Sequence, residues 1–212
     1  MIVKVFSIRY QISMEDGSRI SDRIAELLVH LGRATRGETA GSDLTAAQWT
    51  CLRFFARANG STRTPSCFAS FQATTRGTAS QIVKSLEHAG LVARTRSDRD
   101  RRSVSFDLTD AGRAILEDDP LGDLTTLLDS LGGAERDQFL DTLSQLATAL
   151  AMRRDVPAFG TCRDCSHFST SGDTAYCSCM AAELATEEMT KLCGSYAPTG
   201  ARLTKGDRHG TA

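Results

Sequence analysis

Five of the seven cysteines in this 212-residue chain lie between residues 159 and 196. Two residues separate Cys162 from Cys165, eleven separate Cys165 from Cys177, one separates Cys177 from Cys179, and thirteen precede Cys193. Glycine, serine and threonine surround them, and the segment has too little aliphatic content to build its own core. Thiolate coordination contributes folding free energy directly, on the order of 10 kcal/mol for structural zinc. The sequence therefore predicts a metal-bound module in this segment.

The cysteine spacing leaves the metal open between zinc and an iron–sulfur cluster. Structural zinc sites commonly use two chelating cysteine pairs, and only Cys162 with Cys165 has that form. A 4Fe–4S cluster needs four thiolates at the corners of a cube, which suits one close pair and two isolated cysteines. A thiol–disulfide switch without metal is the third alternative. Flanking aromatic residues are expected to shield a cluster from water, and these are Phe159, Phe168, Tyr176 and Tyr196.

The pairs Tyr176-Cys177 and Cys193-Gly-Ser-Tyr196 carry a resemblance for this segment. It is similar to short bacterial cysteine modules, among them the high-potential-like small subunits of some glycyl-radical enzymes. The resemblance implies a 4Fe–4S cluster, with zinc as the alternative cofactor, and implies four ligands, which are Cys162, Cys165, Cys177 and Cys193. Cys179 and His167 are alternate ligands.

Composition and charge fit a soluble globular protein. The chain is 41% hydrophobic, and its 25 Lys and Arg nearly balance 26 Asp and Glu, so nucleic-acid binding requires local clustering of charge. Lys4 and Arg9 make the N-terminal apolar run a poor signal peptide, and no apolar stretch has the length of about 18 residues that a membrane span needs. We therefore expect a cytoplasmic protein, where thiols stay reduced. No nucleophile–base pair or cofactor fingerprint indicates an enzyme.

Helical periodicity organises the first three quarters of the chain. Thr45 and Gln48 can form a capping box, with Leu44 stapled onto Trp49, and Thr64 followed by proline is a second start signal. The helices predicted from these signals and from apolar spacing cover residues 17–36, 45–58, 65–73, 110–131 and 134–152. The helix at 110–131 is predicted to be interrupted near Asp119. Cys51 and Cys67 fall on the second and third of them and are predicted to be buried core residues.

A further helix over TASQIVKSLEHAG ends at Gly90. Its apolar stripe is predicted to consist of Ala79, Ile82, Leu86 and Ala89. The period then changes to that of two strands, 91–96 and 103–108, with Val104, Phe106 and Leu108 on one face. The stretch 94–102 between and within them holds five arginines against two aspartates, a local net charge of +3.

Three helices followed by a basic hairpin are the layout of a winged helix-turn-helix. An α-helix fits the DNA major groove, where polar side chains contact base edges and phosphates, and a flexible arginine-rich loop can follow the backbone or enter the minor groove. The predicted DNA-binding residues are Thr78, Ser80, Gln81, Lys84, Ser85, Arg96, Arg99, Arg101 and Arg102. For Arg76 and His88 the sequence allows either a base contact or an ordinary surface contact.

The stretches LTAAQWTCLRFF and GTASQIVKSLEHAGLVARTRSDRDRRSVSFDLTDAGRAIL resemble the MarR family of bacterial transcriptional regulators. The resemblance covers about 17–152 and implies a homodimer whose first and last helices interlock. Each subunit would then present one recognition helix to half of a pseudo-palindromic operator on double-stranded DNA. Cys67 and Phe68 stand where smaller or aliphatic residues are usual, which indicates a repacked core.

The fold class expected is therefore mainly α, with a small β-hairpin wing, a helical dimerisation arm and a small metal-bound module. The corresponding divisions are an N-terminal arm at 1–16, a winged-helix and dimerisation domain at 17–152, a cysteine module at 153–198 and a flexible tail at 199–212. Because the linker before the cysteines is short, the module is expected to sit against the last helix.

The resulting hypothesis is a transcriptional repressor whose operator affinity changes with the redox, oxygen or iron status of a 4Fe–4S cluster. In this hypothesis, the cluster shifts the dimerisation arm and thereby the separation of the recognition helices. The alternative is a MarR-like regulator that responds to a small aromatic or acidic ligand and holds a structural zinc.

Overall fold

The computed structural model describes residues 17–35, 44–96, 104–172 and 174–199. The predicted N-terminal arm at 1–16, the tip of the basic hairpin at 97–103 and the tail beyond 199 lie outside the described residues. Among the described helices, none combines the length and the apolar content that crossing a membrane requires. The described chain is mainly helical and contains two small antiparallel sheets.

Four helices come first, and three of them begin at capping threonines. Thr45 caps the second helix and forms the predicted capping box with Gln48. Thr64 and Thr75 each accept a hydrogen bond from a backbone N–H in the first turn that follows them. These hydrogen bonds satisfy donors that a helix start leaves free, so short sequence signals fix the starts. The helices are α1, Gly17–Ala34; α2, Ala46–Arg57; α3, Pro65–Phe71; and α4, Arg76–His88.

A two-stranded hairpin follows α4. Strand β1, Val92–Arg96, pairs antiparallel with β2, Val104–Leu108. Phe106 and Leu108 are buried as the alternation predicts, but Val104 is 44% exposed. The predicted face is therefore buried only near the base of the hairpin, where β2 packs against the helices.

Three more helices complete the first domain. The predicted interruption near Asp119 is confirmed, because a 3₁₀ turn, Leu116–Asp118, ends the first of these helices and Pro120 precedes the next. Thr109 caps the helix that follows the hairpin by accepting a hydrogen bond from the Gly112 N–H. The three are α5, Asp110–Ile115; α6, Gly122–Asp129; and α7, Gly133–Arg153.

The core of this domain is built from aromatic side chains of α2 and α3 and aliphatic side chains of α4. Phe54 lies 5.5 Å from Phe68, centroid to centroid, and Phe55 stacks on Phe106 of the hairpin at 6.0 Å. From α4 the core takes Ala79, Val83 and Leu86, with Ile82 packed at its edge. The predicted stripe is wrong at Ala89, which is exposed, and it omitted Val83. Cys51 is fully buried as predicted, whereas Cys67 is only partly buried.

The cysteine-rich segment forms a three-stranded antiparallel sheet that the sequence did not predict. Its strands are β3, Phe168–Ser171; β4, Thr174–Cys177; and β5, Ala182–Leu184, in the order β3-β4-β5. A short helix, α8, Thr186–Met189, follows. Side chains alternate along β4, so that Ala175 and Cys177 are buried while Tyr176 is exposed.

Candidate nucleic-acid interface and cysteine centre

The predicted DNA-reading side chains of α4 lie opposite its buried stripe. Thr78, Gln81, Lys84 and Ser85 are exposed, and Ser80 is half-buried. This arrangement follows from the helical period, because Ala79, Val83 and Leu86 turn the opposite face into the core. The exposed face offers amide, ammonium and hydroxyl groups, which are the groups that contact bases and phosphates in a major groove.

Two of these hydroxyl groups already have partners within the protein. The Ser85 hydroxyl donates to the Ile82 carbonyl at 2.7 Å and accepts from Gln48 Nε2 at 3.0 Å. The hydroxyls of Thr75 and Thr78 lie 2.9 Å apart. Within the described residues, the side chains of Gln81 and Lys84 make no comparable hydrogen bond, so these two are the stronger candidates for DNA contact.

The described part of the hairpin lies beside α4. Arg94 in β1 forms an ion pair with Glu87 of α4 at 2.8 Å, and its guanidinium lies 5.8 Å from the centre of the Phe106 ring. The ion pair connects the hairpin to α4. Arg96 ends β1, but its side chain is outside the described residues. Arg99, Arg101 and Arg102 also lie outside them, and their DNA contacts stay predictions.

Main-chain pairing draws the predicted cysteine ligands toward one another from distant parts of the sequence. Cys165 N–H donates to the Cys162 carbonyl at 3.2 Å, and Cys193 N–H donates to the Gly160 carbonyl at 2.8 Å. Cys177 pairs across the sheet with Phe168, three residues after Cys165. A short turn, a strand pair and an isolated bridge therefore bring together the main chain at or next to these four cysteines, which span more than thirty residues of sequence.

The thiols influence one another electrostatically. Burial raises the pKa of Cys162, and the charges of Cys193, Cys165 and Cys177 raise it further, because each additional thiolate repels the next. Cys162, Cys177 and Cys193 are buried and Cys165 is half-buried, whereas Cys179 is exposed. The raised pKa of Cys162 means that its thiolate is disfavoured beside the neighbouring thiols, and a bound cation would offset this repulsion. Among the described side chains, no three of His, Cys, Asp and Glu form a preassembled group for a metal ion.

Tyr176, one of the flanking aromatic residues, is arranged differently from the prediction. Tyr176 is 39% exposed and does not shield the thiols, because β4 directs it away from the buried side of Cys177. Phe159 packs on Phe71 at 5.3 Å and on Phe54 at 6.4 Å, which belong to the first domain. His167 is half-buried, and its Nδ1 lies 3.5 Å from the Ser178 hydroxyl.

Comparison with known proteins finds a family similarity within the first part of the chain. Residues 42–103 match the model of the MarR family. This segment is therefore similar to the MarR family. It contains α2, α3, α4 and β1, and therefore the polar α4 face described above. No curated protein sequence matches the chain.

Several solved structures are similar over about two thirds of the chain. FabT of Streptococcus pneumoniae, in complex with DNA, is 23% identical over 64% of this chain and 97% of its own, with a TM-score of 0.47. The transcriptional repressor CouR, bound to a 23-mer DNA duplex, is 27% identical over 65% and 99%, with a TM-score of 0.48. BldR of Sulfolobus solfataricus is 21% identical over 65% and 99%, with a TM-score of 0.49.

The cysteine module docks on the helical part of the chain at the loop between α2 and α3, residues 58–64. Leu192 pairs with Ala58, donating to the Arg57 carbonyl at 2.8 Å and accepting from Asn59 N–H at 2.9 Å. The sequence predicted that the module sits against the last helix, α7. Among the described residues, Tyr196 interacts with Thr148 of α7, but the main-chain pairing is with the loop between α2 and α3. No local sequence pattern pointed to this loop, because the partners lie about 130 residues apart.

Proposed function

We propose that the protein is a DNA-binding transcriptional regulator of the MarR type. The observation that carries this proposal is the exposed polar face of α4 beside a basic hairpin, within the segment that matches the MarR family. The aromatic and aliphatic core holds α4 and the hairpin in a fixed relation, so both can contact one stretch of duplex. The direction of regulation that we propose is repression.

A selection from random duplexes, followed by measurement of the dissociation constant by fluorescence anisotropy, tests DNA binding. Lys84→Ala should weaken binding, and the slope of log K against log salt should flatten by about 0.9 for each phosphate that the protein no longer neutralises. Arg154→Ala removes the same charge at the exposed end of α7 and is the matched control. Absence of any salt-sensitive duplex binding by the intact protein would refute the proposal.

Gln81→Ala separates base reading from phosphate attraction. A glutamine that reads a base contributes to discrimination, so its loss should cost about 1–3 kcal/mol on the preferred duplex and little on random duplexes. Gln138→Ala, on the exposed surface of α7, should change neither. An equal loss on both kinds of duplex would assign Gln81 to the backbone.

We also propose that the regulator is a homodimer formed through α1 and α7. Each described side chain of α1 from Arg19 to Ala34 is exposed in the single chain, although the helix is amphipathic. An uncovered apolar surface of this extent indicates a protein interface. The exposed apolar residues of the two helices are Ile20, Ile24, Leu27, Leu28, Val29, Leu31, Phe139, Leu140, Leu146, Leu150 and Met152.

The cysteine centre is proposed to bind a 4Fe–4S cluster through Cys162, Cys165, Cys177 and Cys193. The electrostatic influence of Cys193, Cys165 and Cys177 on Cys162, together with the exposure of the fifth cysteine, supports the ligand set. The combination of one close pair and two isolated cysteines favours a cluster over zinc, which commonly takes two close pairs. When bound, a cluster would supply a group whose oxidation or loss responds to oxygen and iron. The chain's own contribution is to hold the thiols together and partly away from water.

Anaerobic purification with a visible spectrum and measurement of iron and sulfide tests this cofactor. Single serine substitutions at the four proposed ligands should each reduce iron content strongly, whereas Cys179→Ser should leave it unchanged. Colourless protein with one zinc per chain would replace the iron–sulfur assignment with zinc. Protein that contains neither metal would leave a thiol switch or a small-molecule effector as the input.

A further inference from the structure

The loop that receives the cysteine module also holds the hairpin of the winged helix. Thr62, in this loop, accepts a hydrogen bond from Gly194 N–H at 2.8 Å, and Leu192 is bound to the main chain on the other side of Cys193. Cys193 is thus fixed to the winged helix by both of its neighbours. Thr62 is 2% exposed, so this contact is sheltered from competing water.

Glu188 of α8 makes a second connection to the same loop. Its carboxylate accepts from Gly60 N–H at 2.9 Å and from Lys191 Nζ at 2.7 Å, and it lies 4.0 Å from Arg63 Nη2. Burial opposes the ionised form, but the hydrogen bonds from Lys191 and Gly60 and the charges of Lys191 and Arg63 outweigh it and lower the pKa of Glu188. Glu188 is therefore an anion that joins the module to Arg63.

Arg63 continues this connection into the hairpin. Its guanidinium forms an ion pair with Asp107 of β2 and donates from Nε to the Ala58 carbonyl at 2.9 Å. Its own carbonyl accepts from Phe106 N–H at 2.8 Å. Only 18% of the Arg63 side chain is exposed, so the positive charge that pairs with Asp107 and Glu188 is partly buried.

We infer that the cysteine centre acts on DNA binding through Arg63 and the hairpin, and not through the dimerisation helices. A change at Cys193 moves Gly194 and Leu192, these move residues 58–63, and Arg63 transmits the shift to β2 and thus to the basic tip beyond it. This inference rests on the proposed cofactor at Cys193. Arg63 and Glu188 act as positioning residues, since neither is a proposed DNA contact or ligand.

The contact between Tyr196 and Thr148 on α7 is the competing route. Among the described residues it is one side-chain interaction, whereas several hydrogen bonds join the module to the loop, among them those of Leu192, Gly194 and Glu188. From the loop, the ion pair of Arg63 extends to β2. Coupling requires an element whose position both sites influence. The loop meets this requirement, since it contacts the centre on one side and β2 on the other.

The test measures the dissociation constant for the selected duplex with the metal-loaded and the metal-depleted full-length protein. The ratio of the two constants reports coupling, and metal content per chain reports the cofactor. Coupling of the usual size makes the wild-type ratio differ from one by about 5-fold or more. Glu188→Gln should retain the metal and bring the ratio close to one. Glu187→Gln, the exposed neighbour in α8, and Thr148→Val should both keep the wild-type ratio.

Hydrogen exchange in the wild-type protein gives a second measurement that requires no variant. Metal removal should accelerate amide exchange in β2, including Phe106, and in Asn59 and Gly194, with α7 unchanged. Faster exchange in α7 with β2 unchanged, or an unchanged ratio in metal-loaded Glu188→Gln, would overturn the inference. Wild-type protein that contains no metal would refute the proposed cofactor and remove the basis of this coupling. If the metal is present but its removal leaves the dissociation constant for DNA unchanged, the coupling alone is overturned.

Discussion

The guanidinium of Arg53 in α2 binds both carboxylate oxygens of Asp119, with Nε 2.9 and 2.8 Å from them and Nη2 2.6 Å from Oδ1. Leu121 N–H donates to the same carboxylate at 2.8 Å. Both side chains are largely buried, with 14% and 16% exposed. This pair fixes the segment between α5 and α6 to the winged helix, and so determines where the later helices leave the domain.

We expect Asp119→Asn to lower the free energy of unfolding by about 1.5–3 kcal/mol, the range for hydrogen bonds to charged groups. The asparagine keeps the shape of the side chain but leaves the buried Arg53 charge unpaired. Chemical denaturation measures the difference. Asp118→Asn, one residue earlier and exposed, should have an effect within about 0.5 kcal/mol, as is usual for surface changes. Equal stability of the two variants would contradict a structural role for the pair.

The same pair predicts a pH dependence. Burial disfavours the ionised Asp119, but the hydrogen bonds from Arg53 and Leu121 and the charges of Arg53 and Arg57 outweigh it and lower its pKa below the usual 3.8. A lowered pKa gives stability that is fully present above the unfolded pKa and is lost as pH falls through the folded pKa. The advantage of wild type over Asp119→Asn should therefore be constant above about pH 5 and shrink below about pH 4. An advantage that grows in acid would contradict this assignment.

Gly112 in α5 is a position where alanine should destabilise, although alanine normally favours a helix. A Cβ there would meet the Leu91 carbonyl oxygen and lie 3.4 Å from Leu108 Cδ2. Because main-chain atoms would have to shift, we expect Gly112→Ala to cost about 1–3 kcal/mol in unfolding free energy. Gly122→Ala is the control, since nothing lies within 4 Å of a Cβ at that position. Thermal unfolding of both variants measures the difference in stability.

The cysteines should differ in their reaction with iodoacetamide. Cys51 is fully buried, and burial raises the pKa of its thiol far above the usual range, so little reactive thiolate forms. Cys179 is exposed. In native, metal-depleted protein, mass spectrometry should find Cys179 alkylated and Cys51 unmodified, with Cys51 reacting only after denaturation. Early modification of Cys51 would show that the core of α2 opens readily.

A charge on the exposed apolar surface of α7 should separate the proposed dimer. Leu150 is 50% exposed in the single chain, and an unpaired charge buried there in a dimer would cost about 3–5 kcal/mol. Leu150→Glu should therefore shift the mass found by light scattering from two chains to one. Gln145→Glu adds the same charge at an exposed polar position of the same helix and should leave the dimer intact. A Leu150→Glu protein of unchanged mass would exclude this surface from the interface.

Much of the winged helix could be predicted from the sequence, because its signals are local. Thr45 with Gln48, and Thr64 before a proline, each satisfy backbone donors within one helical turn, and the structure confirms both starts. The helix α4 begins two residues before the predicted stretch, because Thr75 caps it. The polar face of α4 followed from the helical period in the same way. The stripe failed at Ala89 because that residue is the C-cap of α4, where the helical period no longer applies.

The cysteine segment shows the opposite case. Its composition indicated a module that needs a cross-link, and its spacing indicated which cysteines to consider, but not the sheet that gathers them or the exposure of Tyr176. Its docking on residues 58–63 was decided by the tertiary structure alone. Hydrogen bonds such as Gly194 to Thr62 join residues far apart in the chain, and no local pattern encodes such a pairing. The sequence by itself determined the helices and the types of chemistry present, and only the folded chain decided which element the cysteines can influence.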